Sequence, residues 1–275
     1  MSKALVVSTM LLASSNVGSA PPAAAPVAPA LLRSAATLSV GAPNAGQLID
    51  GVQLSPTNVV RVLPAWSGPG FQWGLPELVN MIHRAAASVA QRFPPATLSV
   101  GDLSGHRGGA IREHLSHQSG RDVDVAFFMV DSDDRPILDD DFVSFNLEGK
   151  SDVLPGARFD DTRNWALVQA VLSDREARVL AIFVSNDLKQ RLLAEAVRVG
   201  APLALRRRAG RFMVEPTGST PHDNHFHIRI ACPARQLGIC EDLPRRPDAT
   251  RRPSRTRRPE AKLYRVRAGS ASSTI

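Results

Sequence analysis

From Leu75 to Phe93 apolar residues fall at positions 75, 78, 79, 82, 85, 86, 89 and 93. That three-and-four spacing predicts an amphipathic helix, with Pro76 and Glu77 suited to its first turn and His83 on or near its wet face. Thr97 to Leu103 then reads as a short strand that runs into a Gly-rich loop, Ser104 to Ala110. Val123 to Val130 is a β-rich run containing Asp124, and it ends in the acidic turn Asp131 to Asp134. Asp160-Asp161-Thr162 can cap a helix from about Arg163 to Leu172. Val179 to Val184 reads as a buried strand, and Asp187 to Val199 repeats the helical spacing before stopping at Gly200. Phe226 to Ala231 is the last strand. Helices and strands alternate irregularly, so the pattern predicts an α+β fold: a single catalytic domain with a mainly antiparallel central sheet, flanking helices and long loops.

Composition sharpens the boundaries of that domain. Met1-Ser2-Lys3, the apolar run Ala4 to Ala13 and small residues up to Ala20 supply the parts of a secretory signal over residues 1–20. The run is too short to cross a bilayer, and no other apolar run approaches that length. Residues 21–45 are rich in Pro and Ala and read as a linker, which leaves 46–244 as the folded domain. The net charge of +7 is misleading, because residues 245–275 hold ten Lys/Arg against two acids while the rest carries 23 basic and 24 acidic residues. This tail reads as disordered. With one aromatic, Tyr264, and no recognition fold, it supports no specific nucleic-acid partner; contact with anionic envelope polymers is the reading for an exported chain. Cys232 and Cys240, the only cysteines, are expected to form a disulfide in an oxidising compartment.

Five of the seven histidines lie in two tight groups. The first is His114-Leu115-Ser116-His117, followed by Gly120-Arg121-Asp122-Val123-Asp124; the second is His222-Asp223-Asn224-His225-Phe226-His227. On an extended chain residues two apart point the same way, so His225 and His227 share a face with Phe226 opposite, and Asp122 and Asp124 share a face with Val123 and Val125 opposite. Gly120 permits a turn across which one of the two aspartates meets His117. Zinc takes imidazole and carboxylate ligands, and a catalytic site leaves one position for water. A site of His117, Asp124 and His227 would leave His225 beside the metal as a base, with His222 able to orient the water or steady an oxyanion. His114 joins the same pocket or holds a second metal.

These residues carry a resemblance. Gly101-Asp102, the run Ser116 to Asp124, and His222-x-x-His225-x-His227 followed by Arg229, Cys232 and Pro233 are similar to the penicillin-insensitive murein endopeptidases, within the zinc peptidases that include the lysostaphin-like enzymes and the D-Ala-D-Ala metallopeptidases. The resemblance spans roughly residues 45–243. It implies a sheet-centred α+β fold, catalytic zinc on His117, Asp124 and His227, His225 as general base, and His114 and His222 lining the site. It also implies a periplasmic enzyme that cleaves D-alanyl to diaminopimelyl cross-links of peptidoglycan. Insensitivity to β-lactams follows from chemistry, since those drugs acylate a serine, and this chain has no Ser-x-x-Lys. The chain departs from the family pattern at Arg112-Glu113 before His114. It departs again at Glu148 and Ser151, the approximate matches to a second-metal pair. Two other activities fit the same residues: trimming of stem peptides in the manner of a D,D-carboxypeptidase, and non-catalytic peptidoglycan binding.

Overall fold

A computed structural model describes residues 37–66, 70–111, 114–217 and 220–242. In chain order the strands and helices are β1 (Leu38–Ala42), β2 (Ala45–Ile49), β3 (Val52–Gln53), β4 (Val60–Val62), β5 (Trp73–Gly74), α1 (Pro76–Arg92), β6 (Leu98–Val100), β7 (Asp122–Ala126), β8 (Met129–Val130), β9 (Pro136–Ile137), β10 (Arg158–Phe159), α2 (Asp161–Ser173), β11 (Val179–Phe183), α3 (Asn186–Arg198), α4 (Leu203–Phe212), β12 (Met213–Val214) and β13 (His225–Ile230). Six strands form the central sheet in the order β12-β11-β13-β7-β6-β4. Its four inner strands are antiparallel, while the outermost pairs, β12 with β11 and β4 with β6, run parallel. The fold is α+β, as the patterning predicts. No helix among the described residues is long and apolar enough to cross a membrane.

The helices form where their caps and apolar spacing require. The Asp160 carboxylate accepts the Arg163 N–H at 2.9 Å to open α2, and Ser185 Oγ accepts from Leu188 N at 3.4 Å to open α3. Gly200, at φ 69°, takes the left-handed conformation that closes α3. Leu78, Ile82 and Val89 of α1 share one core with Val168 of α2 and with Val123, Val125, Phe226 and Ile228 of β7 and β13. His83 departs from the expectation of a wet position, being only 7% exposed. Helix α2 packs along α1, which is therefore covered on more than the single stripe that its spacing defines. Burial lowers the His83 pKa accordingly.

The N-terminal boundary also needs correction. Residues 38–45, read as the end of a linker, form β1 and the turn into β2. Their partners lie about two hundred residues away. Ser39 N–H donates to Gln236 Oε1 at 2.7 Å, Gly41 N–H donates to Ile239 O at 2.7 Å, and Gly41 O accepts from Glu241 N–H at 3.0 Å. Leu48 of β2 anchors the hairpin in the core, but β1 itself is held by hydrogen bonds of its backbone, so composition conceals it. The segment it meets contains the Cys232–Cys240 disulfide, whose Cα atoms are 5.7 Å apart. Arg121, wholly buried, ties that segment to the site by donating to Asp242 Oδ1 and to Glu241 O, each at 2.7 Å. Residues 1–20, most of the 21–45 stretch and the 245–275 tail lie outside the described residues, as do Arg112 and Glu113.

Candidate metal centre

Strands β7 and β13 pair so that His227 stands opposite Asp124, and Arg229 opposite Asp122. Because side chains alternate across a strand, all four project to the face away from Phe226 and Ile228. His225 joins them from the start of β13. The first cluster arrives by a different route, a loop in which His117 itself takes a left-handed backbone, φ 68°. For a non-glycine residue this costs about 1–3 kcal/mol unless surrounding contacts hold it. Here the His117 N–H donates to Asp122 Oδ2 at 3.1 Å, and Ser104 Oγ donates to His117 O at 2.5 Å while accepting from Gly120 N at 2.9 Å.

Each imidazole is fixed by a hydrogen bond on its outer nitrogen. His117 Nδ1 donates to Leu103 O at 2.7 Å, His227 Nε2 to Asp122 Oδ1 at 3.1 Å, and His114 Nε2 to Asp102 Oδ2 at 3.0 Å. His225 Nδ1 donates to Asn224 Oδ1 at 2.7 Å. An outer N–H so committed leaves the inner nitrogen as a lone pair. All four inner nitrogens meet the Asp124 carboxylate: His117 Nε2 at 3.3 Å, His225 Nε2 at 3.4 Å and His227 Nδ1 at 3.5 Å from Oδ1, and His114 Nδ1 at 3.7 Å from Oδ2. None of these contacts satisfies Asp124 Oδ1, which is buried without a hydrogen-bond partner, as is His117 Nε2.

The electrostatics follow from that crowding. Burial opposes ionisation of Asp124, yet the His117 and His225 imidazoles hold its carboxyl well below the usual carboxylate range. Burial also opposes a charge on His117, but Asp124 and then Asp122 carry its pKa up to about 9. His227, by contrast, is lowered by burial. Asp122 would be raised by burial, but the Arg229 guanidinium, donating from Nε at 2.5 Å, keeps it far below its ordinary value. His222 stands at the rim, its ring 4.8 Å from that of His225, and burial followed by the two neighbouring histidines pushes it down to about 4.

A cation fits this place. His114, His117 and Asp124 offer ligand atoms that lie within 4.8 Å of one another, and His227 reaches the group through Asp124. Neutral nitrogen lone pairs converging on a buried, unsatisfied carboxylate repel one another unless a proton or a metal ion lies among them. Nitrogen and carboxylate donors suit zinc, and the outer hydrogen bonds supply the orientation that metal-bound imidazoles need.

The structure brings histidines of both sequence clusters together around Asp124, while most of the groups that orient them carry no spacing signal. Asp122 was weighed only as a rival to Asp124, and its actual contacts are with His227, Arg229 and the His117 backbone. Asp102 entered only as part of the Gly101-Asp102 resemblance and Asn224 only as a member of the second cluster, whereas in the structure they orient His114 and His225. Two carboxylates at alternate positions of a strand facing two imidazoles are a signal of one binding and one orienting group, but spacing alone cannot say which is which. Phe142, whose ring centroid is 4.6 Å from that of His225, comes from a loop with no spacing signal.

Residues 39–250 match the family model described as penicillin-insensitive murein endopeptidase. Among curated proteins, one of that name from Yersinia enterocolitica serotype O:8 is 30% identical over 168 residues, which are 60% of this chain and 56% of the relative. A Yersinia pestis protein of the same name is 30% identical over 177 residues, 62% of this chain and 58% of its own. A Salmonella heidelberg counterpart is 28% identical over 178 residues, 64% and 59% of the two chains. The matched region spans a little over half the length of these relatives. By the extent of the family match, which takes in the central sheet and both histidine clusters, the chain belongs to the penicillin-insensitive murein endopeptidase family.

Proposed function

We propose that this chain is an exported, zinc-dependent murein endopeptidase that hydrolyses the D-alanyl to diaminopimelyl cross-link of peptidoglycan. The observation that carries the reading is the set of four imidazole nitrogens turned toward one buried carboxylate oxygen pair. His117 through Nε2, Asp124 through its carboxylate and His227 through Nδ1 would hold zinc, with His114 Nδ1 beside them. Zinc, when bound, supplies a water made acidic enough to lose its proton near neutral pH and a Lewis acid for the scissile carbonyl.

The chain's own residues do the rest. His225 accepts the water's proton at Nε2, the nitrogen left bare by the bond from Nδ1 to Asn224. It then returns that proton to the departing amine. His222 Nδ1 faces Thr220 O at 3.3 Å, and a carbonyl can only accept, so Nε2 of neutral His222 is an acceptor. This favours orienting a water or substrate N–H over steadying an oxyanion. Asp122 and Asp102 keep His227 and His114 in the tautomers that face inward. Substrate lies outside the cytoplasm, and the Cys232–Cys240 disulfide fits an oxidising compartment. The Arg-rich tail would add contact with anionic envelope polymers.

Digestion of purified cross-linked muropeptides, with and without a chelator and read by mass, tests the proposal. Dimers should fall to monomers only while metal is present. Release of a terminal alanine alone would mark a carboxypeptidase, and a metal-loaded protein that leaves every dimer intact would mark a binding module. His225→Ala should lower turnover by about 10²–10⁴-fold with metal content unchanged.

A further inference from the structure

We propose that Phe142 is a positioning residue: it presses the His225 imidazole into its working orientation, and Gly101 is the hollow that admits it. The inference rests on the reading of His225 as the base. The Phe142 ring lies over His225 with centroids 4.6 Å apart and planes 31° apart. A Cβ added at Gly101 would come within 2.6 Å of Phe142 Cζ. Space is what demands glycine at this position. The same Gly101 donates its N–H to Asp124 O at 2.9 Å, so the seat of the ring is joined to the strand that bears the buried carboxylate.

Phe142 also packs against Trp66, centroid to centroid 5.1 Å. Its loop is tied down along its length. Trp66 Nε1 donates to Asp141 Oδ1 at 2.7 Å, Ala65 N to Asp140 O at 3.0 Å, and the Arg61 guanidinium to Asp139 O. A ring this constrained is a fixed wall. His225 gains from one, because the hydrogen bond at its Nδ1 runs to the side chain of its own neighbour, Asn224, which can swing with it, and its Nε2 lies a long 3.4 Å from Asp124 Oδ1. Contact across the ring face removes that freedom, and a small misplacement of a base from its proton is enough to slow transfer.

The test pairs activity with a measurement that needs neither metal nor substrate. In the metal-free protein, proton NMR should show the His225 Cε1–H moved upfield by the Phe142 ring, with cross-relaxation between the two rings. Phe142→Ala should abolish both, and Gly101→Ala, which displaces the ring, should weaken both. With zinc bound, Phe142→Ala should lower kcat about 10–100-fold while KM and metal content stay near wild type. Phe142→Leu, which keeps bulk on the imidazole, should recover most of the loss. Wild-type kcat in Phe142→Ala overturns the proposal, and so does loss of metal in parallel with activity. Absence of ring contact in the wild-type spectrum overturns it too. If the wild-type protein cuts no muropeptide, the function proposed above fails, and the ring contact still decides whether Phe142 holds His225.

Discussion

On one face of the paired strands β7 and β13, Val123, Val125, Phe226 and Ile228 sink into the core; on the other, Asp122, Asp124, His225, His227 and Arg229 gather at the candidate metal centre. The backbone is common to both. What differs is how far each face tolerates change. The apolar face works by area and volume, so a neighbour can partly fill a gap. The polar face works by single atoms, each nitrogen committed to one partner, and nothing nearby can substitute for a lost oxygen.

Breaking each face once exposes the contrast. Asp124→Ala should give the largest functional effect, loss of stoichiometric metal and of muropeptide cleavage, in a protein that remains folded. Elemental analysis and circular dichroism check the two halves of that statement. Phe226→Ala should do the reverse. Phe226 is wholly buried and meets Phe127 edge to face at 4.7 Å, so its truncation is expected to lower unfolding free energy by about 3–5 kcal/mol. Metal stoichiometry of the remaining folded protein should hold. Were Phe226→Ala to strip the metal as fully as Asp124→Ala, the two faces could not be regarded as separable.

A subtler change sharpens the comparison within the polar face. Asp122→Asn keeps the shape of the side chain but removes the charge that faces Arg229, and it offers His227 a poorer acceptor. The ligand set itself is untouched. Metal affinity should fall about 10–100-fold, as for other lost orienting partners, and a competition titration against a chromophoric chelator would measure it. An unchanged affinity would mean that packing alone aims His227. Loss as complete as in Asp124→Ala would make Asp122 a ligand.

These strands also show which parts of the molecule the chain discloses. The alternation Asp122-Val123-Asp124-Val125 and His225-Phe226-His227 reports both faces directly, because a two-residue period maps onto a pleated strand without knowledge of the rest of the fold. The resemblance then assigned Asp124 over Asp122, a choice that alternation leaves open. Helix α1 was legible by its spacing, but the burial of His83 was not, since the second cover comes from α2, distant in sequence. The β1 hairpin was hidden for a related reason: its own backbone groups meet the Ile239 carbonyl and the Gln236 side-chain amide, which leaves no mark on the composition of residues 38–45. Phe142 belongs with these, as a side chain whose importance depends on a hollow at Gly101 and a ring at His225 that only the folded chain brings to it.

The smallest effect is expected where no side chain is removed and only pH changes. In the metal-free protein the folded pKa of His117 is about 9, above its ordinary 6.5, chiefly because Asp124 outweighs the penalty of burial. A raised pKa means that the proton binds the folded state more tightly than the unfolded one. Its stabilisation is fully present below pH 6.5 and is lost as pH rises through about 9. Asp122 and Asp124 act in the opposite sense, being depressed below 3.8, so their contribution is present above that value and is lost in acid. His83, His222 and His227, lowered by burial, lose their contribution as pH falls below 6.5, so the metal-free protein should be most stable near pH 6.5, judged by thermal unfolding. Metal reverses the upper limb, because a ligand must give up its proton to bind. The gap in Tm between loaded and metal-free protein should widen from pH 6.5 toward 9. Phe226→Ala should shift both curves down and keep that gap. Asp124→Ala should flatten it, since the carboxylate that holds the proton on His117 is the same one that would hold the ion; a gap that persists in this variant would show that the proton and the ion do not compete for one place.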